Sequence, residues 1–164
     1  MAASDPSTWR LPRLRIDRDG VWHHEDEEVT HGGILATLWS SLQVDVQGHY
    51  IEIGPVRVPV EVEDAPYLVA RIEREGAGLA ATLGDGSREW IAPDGLWFGP
   101  GEIPYCRVKA GRFTARLSRA AAYQLLQHVE ESASGSPSLV LGSARYSLPR
   151  RETGGGPAAS GVRG

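Results

Sequence analysis

Apolar and polar positions alternate from Leu14 to Asp17, break at Asp19-Gly20 and resume at Val21-Trp22, the pattern of two strands joined by a tight hairpin. The stretch from Cys106 to Phe113 carries the same pattern: Leu14, Ile16, Gly20 and Trp22 find counterparts in Cys106, Val108, Gly111 and Phe113. After each hairpin the period lengthens to that of a helix. Thr30, a good N-cap residue, precedes Ile34, Leu35, Leu38 and Leu42 on one predicted face. Ser118, equally suited to cap, precedes Ala122, Tyr123, Leu126 and Val129. Thr30 and Ser118 stand 88 positions apart, and the next two strands keep that spacing. Ile51 to Val58 matches Leu139 to Tyr146, with Gly54 and Arg57 coinciding with Gly142 and Arg145.

Between these segments, Val58–Glu63, Tyr67–Arg74 and Gly78–Leu83 read as strands, and Gly84-Asp85-Gly86 as a turn before a strand at Arg88–Ile91. The pattern predicts an α+β fold of two related small lobes, each a short helix packed on an antiparallel sheet. The underlying unit is a duplicated β-β-α-β-β element, with an insertion of about three residues in the His23–Glu28 stretch of the first copy. The expected N-terminal lobe covers residues 9–62, and the C-terminal lobe, holding the central strands and the second copy, covers 63–149. Residues 1–8 are small and polar, and residues 150–164 hold five glycines and little to bury, so both ends are expected to be flexible or disordered. A groove between two such lobes is a common place for a ligand.

Composition narrows the function classes. Of 164 residues, 41% are hydrophobic and 23% charged, the balance of a globular chain rather than a disordered one. No apolar run approaches the ~18 residues of a membrane-spanning helix, and the N-terminus lacks a basic and an apolar signal region. The expected location is therefore cytoplasmic, away from membranes. A net charge of −4, with arginines scattered singly and Lys109 the one lysine, argues against a nucleic-acid partner. The single cysteine, Cys106, excludes an internal disulfide and a thiolate metal cluster.

Candidate chemistry is sparse. Gly76-Ala77-Gly78 with Ala81 matches a dinucleotide-binding fingerprint, but Gly84-Asp85-Gly86 leaves no room for the helix that fingerprint needs, so a hairpin turn is expected. His23, His24 and the acidic residues Glu25 to Glu28 are metal-ligand types, yet adjacent strand residues point to opposite faces, which favours a solvated arm. Cys106 sits in an alternating strand and reads as a buried small apolar residue. Trp9, Trp22, Trp39, Trp90 and Trp97 read as core and rim anchors, and Trp97-Phe98 lies on a Gly/Pro-rich loop able to cap a groove or a partner surface. Glu63 and Asp64 precede Pro66, which forces a bend, placing two carboxylates at the lobe junction.

Several segments together resemble a bacterial family known only as domain of unknown function 1285. They are Asp19-Gly20-Val21-Trp22-His23-His24, Gly48-His49-Tyr50-Ile51 with Pro55, Val62 to Tyr67, Ala115 to Arg119 leading to Tyr123, and Gly142-Ser143. The resemblance spans nearly all of residues 9–149, and Glu63-Asp64-Ala65-Pro66 is its most specific part. It implies a two-lobed α+β fold with repeated motifs and no established activity, with ligand sensing or signal transduction suggested from shape. Glu25 to Glu28 depart from the family pattern, which is usually shorter there and carries a glycine, and the Gly-rich tail is an addition.

These readings converge on a non-enzymatic module that binds a small molecule or a protein partner in the interlobe groove, without cofactor or structural metal. The candidate ligand-binding residues are Arg57, Glu63, Asp64, Tyr67 and Arg145, since arginines at equivalent positions of the two copies suit a carboxylate or phosphate ligand. Catalytic residues are not assigned. An alternative is an enzyme using Glu63 or Asp64 in acid–base chemistry with a histidine such as His49. A further alternative is a protein–protein adaptor or homo-oligomer using a free sheet edge or the Trp97 loop.

Overall fold

The computed structural model describes residues 11–152. The segment 1–8, Trp9 and the Gly-rich stretch from 153 to 164 lie outside the described residues.

The first sheet is built from β1 (Leu14–Ile16), β2 (Trp22–His24), β3 (Glu27–Glu28), β4 (Gln43–Asp45), β5 (Gly48–Ile53) and β6 (Val56–Val62), with helix α1 (Gly32–Ser41) between β3 and β4. The second comprises β7 (Tyr67–Glu75), β8 (Gly78–Leu83), β9 (Arg88–Ile91), β10 (Trp97–Phe98), β11 (Pro104–Val108) and β12 (Phe113–Leu117). Helix α2 (Arg119–Leu126) follows, then a smaller sheet of β13 (Val129–Glu131), β14 (Pro137–Leu141) and β15 (Ala144–Ser147).

The two six-stranded sheets share one plan. Their orders are β3-β2-β1-β6-β5-β4 and β10-β11-β12-β7-β8-β9. In each, two meanders meet through a central parallel pair, made by the first strand of one meander and the last strand of the other. Leu14 lies opposite Val60 in the β1–β6 pair, and Tyr67 opposite Ala115 in the β7–β12 pair.

The sheets are therefore mixed, not antiparallel as expected. Alternation and turn residues specify hairpins between sequence neighbours. They are silent about which meander edges meet, and an open edge exposes a row of unpaired backbone groups that another strand can satisfy. A spacing of 88 relates α1, β5 and β6 to α2, β14 and β15, while the residues of β1 and β2 stand 91 or 92 positions before their counterparts in β11 and β12. The pairing differs, because β6 closes on β1 whereas β14 and β15 stand in their own sheet. Where the first sheet has α1 between its meanders, the second has a short 3-10 turn at Pro93–Gly95, and a further one at Pro100–Glu102 joins β10 to β11.

One hydrophobic cluster runs through all three sheets. Ile16, Trp22 and Val58 belong to the first, Val69, Leu79 and Leu117 to the second, and Leu139 and Leu141 to the third, with Leu125 of α2 among them. Each of these side chains is almost fully withdrawn from water, which provides the main favourable contribution to folding. Among the described residues no helix is long and apolar enough to cross a membrane.

The helices differ in detail from the expected stripes. The α1 cap is His31 rather than Thr30: its Nδ1 accepts from the backbone N–H groups of Gly33 and Ile34. Leu38 and Leu42 are buried, but Ile34 is exposed. In α2, Ser118 caps as expected, its Oγ accepting from Ala121 N at 3.0 Å. The buried residues are Ala121 and Leu125, while Tyr123 and Leu126 face water and Val129 belongs to β13. Hydrogen bonds to β7 account for this rotation: Ser118 Oγ donates to Ala70 O at 3.1 Å, and Gln124 Oε1 accepts from Ile72 N at 2.8 Å. With both polar side chains tied to that strand, the adjacent Ala121 and Leu125 turn into the core.

The chain is held as far as Arg151, so its first tail residues belong to the folded part. Arg151 N donates to Phe98 O at 2.8 Å, and the Arg150 guanidinium pairs with Glu102.

Candidate functional site

Between the two large sheets lies a cavity of about 400 Å³, within the range of small-molecule sites. Trp39 and Ser40 of α1 and Gln43 of β4 contribute from one side. Tyr67 of β7, Phe113 of β12, and Asp85, Lys109 and Arg112 from hairpin turns contribute from the other.

The polar side is set by the β11–β12 hairpin turn. Lys109 and Ala110 both adopt left-handed backbone, with φ of 57° and 58°, which costs a residue bearing a Cβ about 1 kcal/mol or more. Such strain persists only where its surroundings over-determine it, and it clusters at binding sites. Here the Lys109 backbone N–H donates to Glu89 at 3.0 Å, and its Nζ reaches both Asp85 Oδ2 and Ser87 Oγ at 2.9 Å. Asp85 also accepts from Ser87 Oγ at 2.6 Å and Ser87 N at 2.9 Å. Burial alone would push the Asp85 carboxyl up. Hydrogen bonds from Ser87 and Lys109 outweigh it and hold the group below the ordinary carboxylate value.

The aromatic side is continuous. Trp39 stacks on Tyr67 with ring centroids 4.7 Å apart and meets Trp22 edge-on at 5.5 Å. Tyr67 also contacts Phe113 at 5.3 Å, and Lys109 Nζ lies 5.4 Å from the Tyr67 ring. Burial pushes the Tyr67 hydroxyl pKa up, so it stays protonated. Arg112 stands 5.0 Å from the Phe113 ring and donates to Gln43 Oε1 at 2.9 Å.

Of the five residues expected from the sequence to bind a ligand, Tyr67 lines this cavity. Arg57 lies on β6, paired with Asp45 at 2.8 Å and stacked over Tyr50 at 3.6 Å. Arg145 lies on β15 of the small sheet, 3.3 Å from Glu130. Glu63 accepts from Arg15 Nη1 and from Arg18 N. Asp64 accepts from the Tyr105 hydroxyl at 2.7 Å and lies 4.0 Å from Arg116 Nε. Glu63 and Asp64 thus gather at the junction of the sheets, while Arg57 and Arg145 are engaged locally and apart. Sequence reasoning does not single out Trp39, Asp85, Lys109 and Arg112 as a group. The available signal is the chain's one lysine next to Ala110-Gly111 in a hairpin turn.

The other motifs resolve plainly. Gly76 and Ala77 form the β7–β8 hairpin turn. His23 and His24 pair across strands with Glu28 and Glu27, and His23 Nε2 lies 2.9 Å from Asp17 Oδ2. Among the described residues no three His, Cys, Asp or Glu side chains gather as a metal site. Cys106 is buried and its thiol is pushed up to about 12 by burial, so it is no nucleophile. Trp97 and Phe98 do not cap a groove: both are buried in β10, with Trp97 stacked on Tyr105 at 6.0 Å. Trp90 is exposed on β9. His49 is buried against Phe113 and makes no hydrogen bond to Glu63 or Asp64 among the described residues.

A second cavity, of about 460 Å³, lies between α1 and the first sheet, with Leu14, Ile34, Leu38, Ile51 and Ile53 in its walls and His24, Glu27, Glu28 and His31 beside them. It has no lysine or arginine in its lining and takes nothing from the second sheet.

No family model and no curated protein matches the chain. Two solved structures do. A DUF1285 family protein from Silicibacter pomeroyi DSS-3 is 22% identical with a TM-score of 0.68, covering 87% of this chain and 85% of that one. A DUF1285 family protein from Shewanella baltica OS155 is 20% identical with a TM-score of 0.60, covering 71% of this chain and 92% of that one. The resemblance carried by the sequence motifs is thus met by a likeness in fold: this chain resembles DUF1285 family proteins over most of its length.

Proposed function

We propose that the protein is a cytoplasmic, non-enzymatic module that binds a small molecule in the cavity between its two large sheets. The observation carrying this reading is the Lys109 turn. Left-handed backbone at two non-glycine residues carries the Lys109 side chain to Asp85 and Ser87 beside the Trp39–Tyr67 stack. Left-handed pairs also close the β2–β3 hairpin at Glu25 and Asp26, so what singles out the Lys109 turn is the ammonium it carries to the cavity wall. Because both sheets supply walls, a bound molecule would tie them together, a simple route from binding to a signal. On this reading Glu63 and Asp64 fix the angle between the sheets, through Arg15 on one side and Tyr105 on the other, rather than performing acid–base chemistry.

The test is a metabolite screen on the full chain by thermal shift, with hits mapped by 15N NMR. Hits that raise the melting midpoint and move the Trp39 indole and Lys109 amide signals support the reading. A library that leaves those signals unmoved, or hits that move only residues elsewhere, would overturn it.

A further inference from the structure

We propose that the ligand of this cavity is a flat, unsaturated carboxylic acid carrying a single negative charge, its carboxylate bound by Arg112 and its ring lying against the Trp39–Tyr67 stack. This rests on the reading that the interlobe cavity is the binding site, and adds the chemical class of its occupant.

The charge follows from the pairing. Two cations and one carboxylate line the cavity. Asp85 is bonded to Lys109 Nζ at 2.9 Å, so that pair is internally compensated. Arg112 has no carboxylate partner among the described residues, and its side chain donates to Gln43, a neutral acceptor. A guanidinium has five N–H donors in a planar fork, so donors remain after one bond to an amide oxygen. A carboxylate matches that fork with two parallel hydrogen bonds.

The shape follows from the aromatic side. Trp39, Tyr67 and Phe113 form connected ring contacts at 4.7 and 5.3 Å, and such walls favour planar rings over branched chains. A doubly charged phosphate monoester fits less well. One uncompensated arginine would leave a negative charge partly desolvated beside Asp85, a costly arrangement. Protonated Tyr67 and Ser40 add neutral hydroxyls, suited to an acid bearing a further polar group.

The experiment titrates the full chain by 15N NMR with benzoate, benzamide, benzylamine and phenyl phosphate at millimolar concentrations, reading the Trp39 indole, Lys109 and Arg112 signals. Benzoate is expected to bind about tenfold more tightly than benzamide, the ratio of a charge-assisted to a neutral contact, with no saturable shift for benzylamine. Arg112→Gln should reduce benzoate to the benzamide level while lowering the melting midpoint no more than Gln43→Ala does and keeping the wild-type spectrum elsewhere. Equal or tighter binding of benzamide or benzylamine at these signals overturns the anionic class and leaves the cavity reading standing. Tighter binding of phenyl phosphate overturns the carboxylate. If none of the four moves these signals, the inference falls, and the metabolite screen separately decides whether the cavity binds anything.

Discussion

Arg112, in the turn after β11 of the second sheet, donates from Nη2 to Oε1 of Gln43 in the first, 2.9 Å away. The bond joins partners 69 positions apart, and beneath it the hydrophobic cluster passes from Trp22 to Leu117 without a break. The two sheets therefore share one core and are expected to unfold together. Gln43→Ala removes an exposed hydrogen bond worth about 1 kcal/mol or less, so it should lower the urea midpoint slightly and keep a single transition. Tryptophan fluorescence and near-UV circular dichroism recorded on the same samples check this. Two separated transitions would show that the sheets fold independently.

The first hairpin approaches the second sheet closely at Gly20. Its φ is +79°, and a Cβ placed there would stand 3.0 Å from Leu68 Cβ on β7. Gly20→Ala combines left-handed strain with a clash, and should cost about 2–3 kcal/mol. Gly86 has a similar φ of +89° with open space around it, so Gly86→Ala should cost about 1 kcal/mol. Comparing their denaturation midpoints isolates the contact with Leu68, and equal losses would argue against it. Ala110→Gly should not destabilise the chain, because relief of strain at φ 58° offsets the extra freedom of glycine when unfolded.

Cys106 offers a probe of global opening. It is 1% exposed, and burial pushes its thiol up to about 12, so both access and thiolate are lacking in the folded state. An aromatic disulfide reagent at pH 8 should label the native chain only at the unfolding rate, and label it at once in concentrated urea. Rapid stoichiometric labelling without denaturant would contradict the burial of β11.

The strands are the legible part of this chain because period-two alternation and glycine turns are local signals. β8 and β9 begin and end where Gly78–Leu83 and Arg88–Ile91 predict. The parallel pairing of β1 with β6 is hidden, since Leu14 and Val60 meet through a contact that no turn encodes. The face of α2 is hidden for a related reason. Ala121 with Leu125 and Ala122 with Leu126 are equally spaced, and only the bonds of Ser118 and Gln124 to β7 choose between them. At the site, Tyr67 can be reached from sequence through its place beside Pro66. Lys109, Arg112 and Asp85 converge with Trp39 only after hairpin turns of one sheet meet the helix of the other. Arg57 and Arg145 are equivalent in spacing, but each has a carboxylate nearby, Asp45 and Glu130.

His49 makes stability depend on pH. It is 7% exposed, on β5 against Phe113, and burial lowers its pKa from 6.5 to about 4. Between those two values the unfolded chain binds a proton that the folded chain refuses. Stability is therefore full above pH 6.5, falls as the pH drops toward 4, and loses nothing more from this group below that. The shift corresponds to a loss of up to about 3 kcal/mol. Asp85 acts in a different window: its carboxyl is held below the reference value of 3.8, so its contribution is present above that value and disappears on further acidification. Urea midpoints at pH 7, 5.5 and 4.5 should fall steadily in the wild-type chain. His49→Leu keeps an apolar side chain against Phe113 and removes the titrating group, so its midpoints should change much less over the same interval. Parallel slopes in the two proteins would assign the acid sensitivity to other groups.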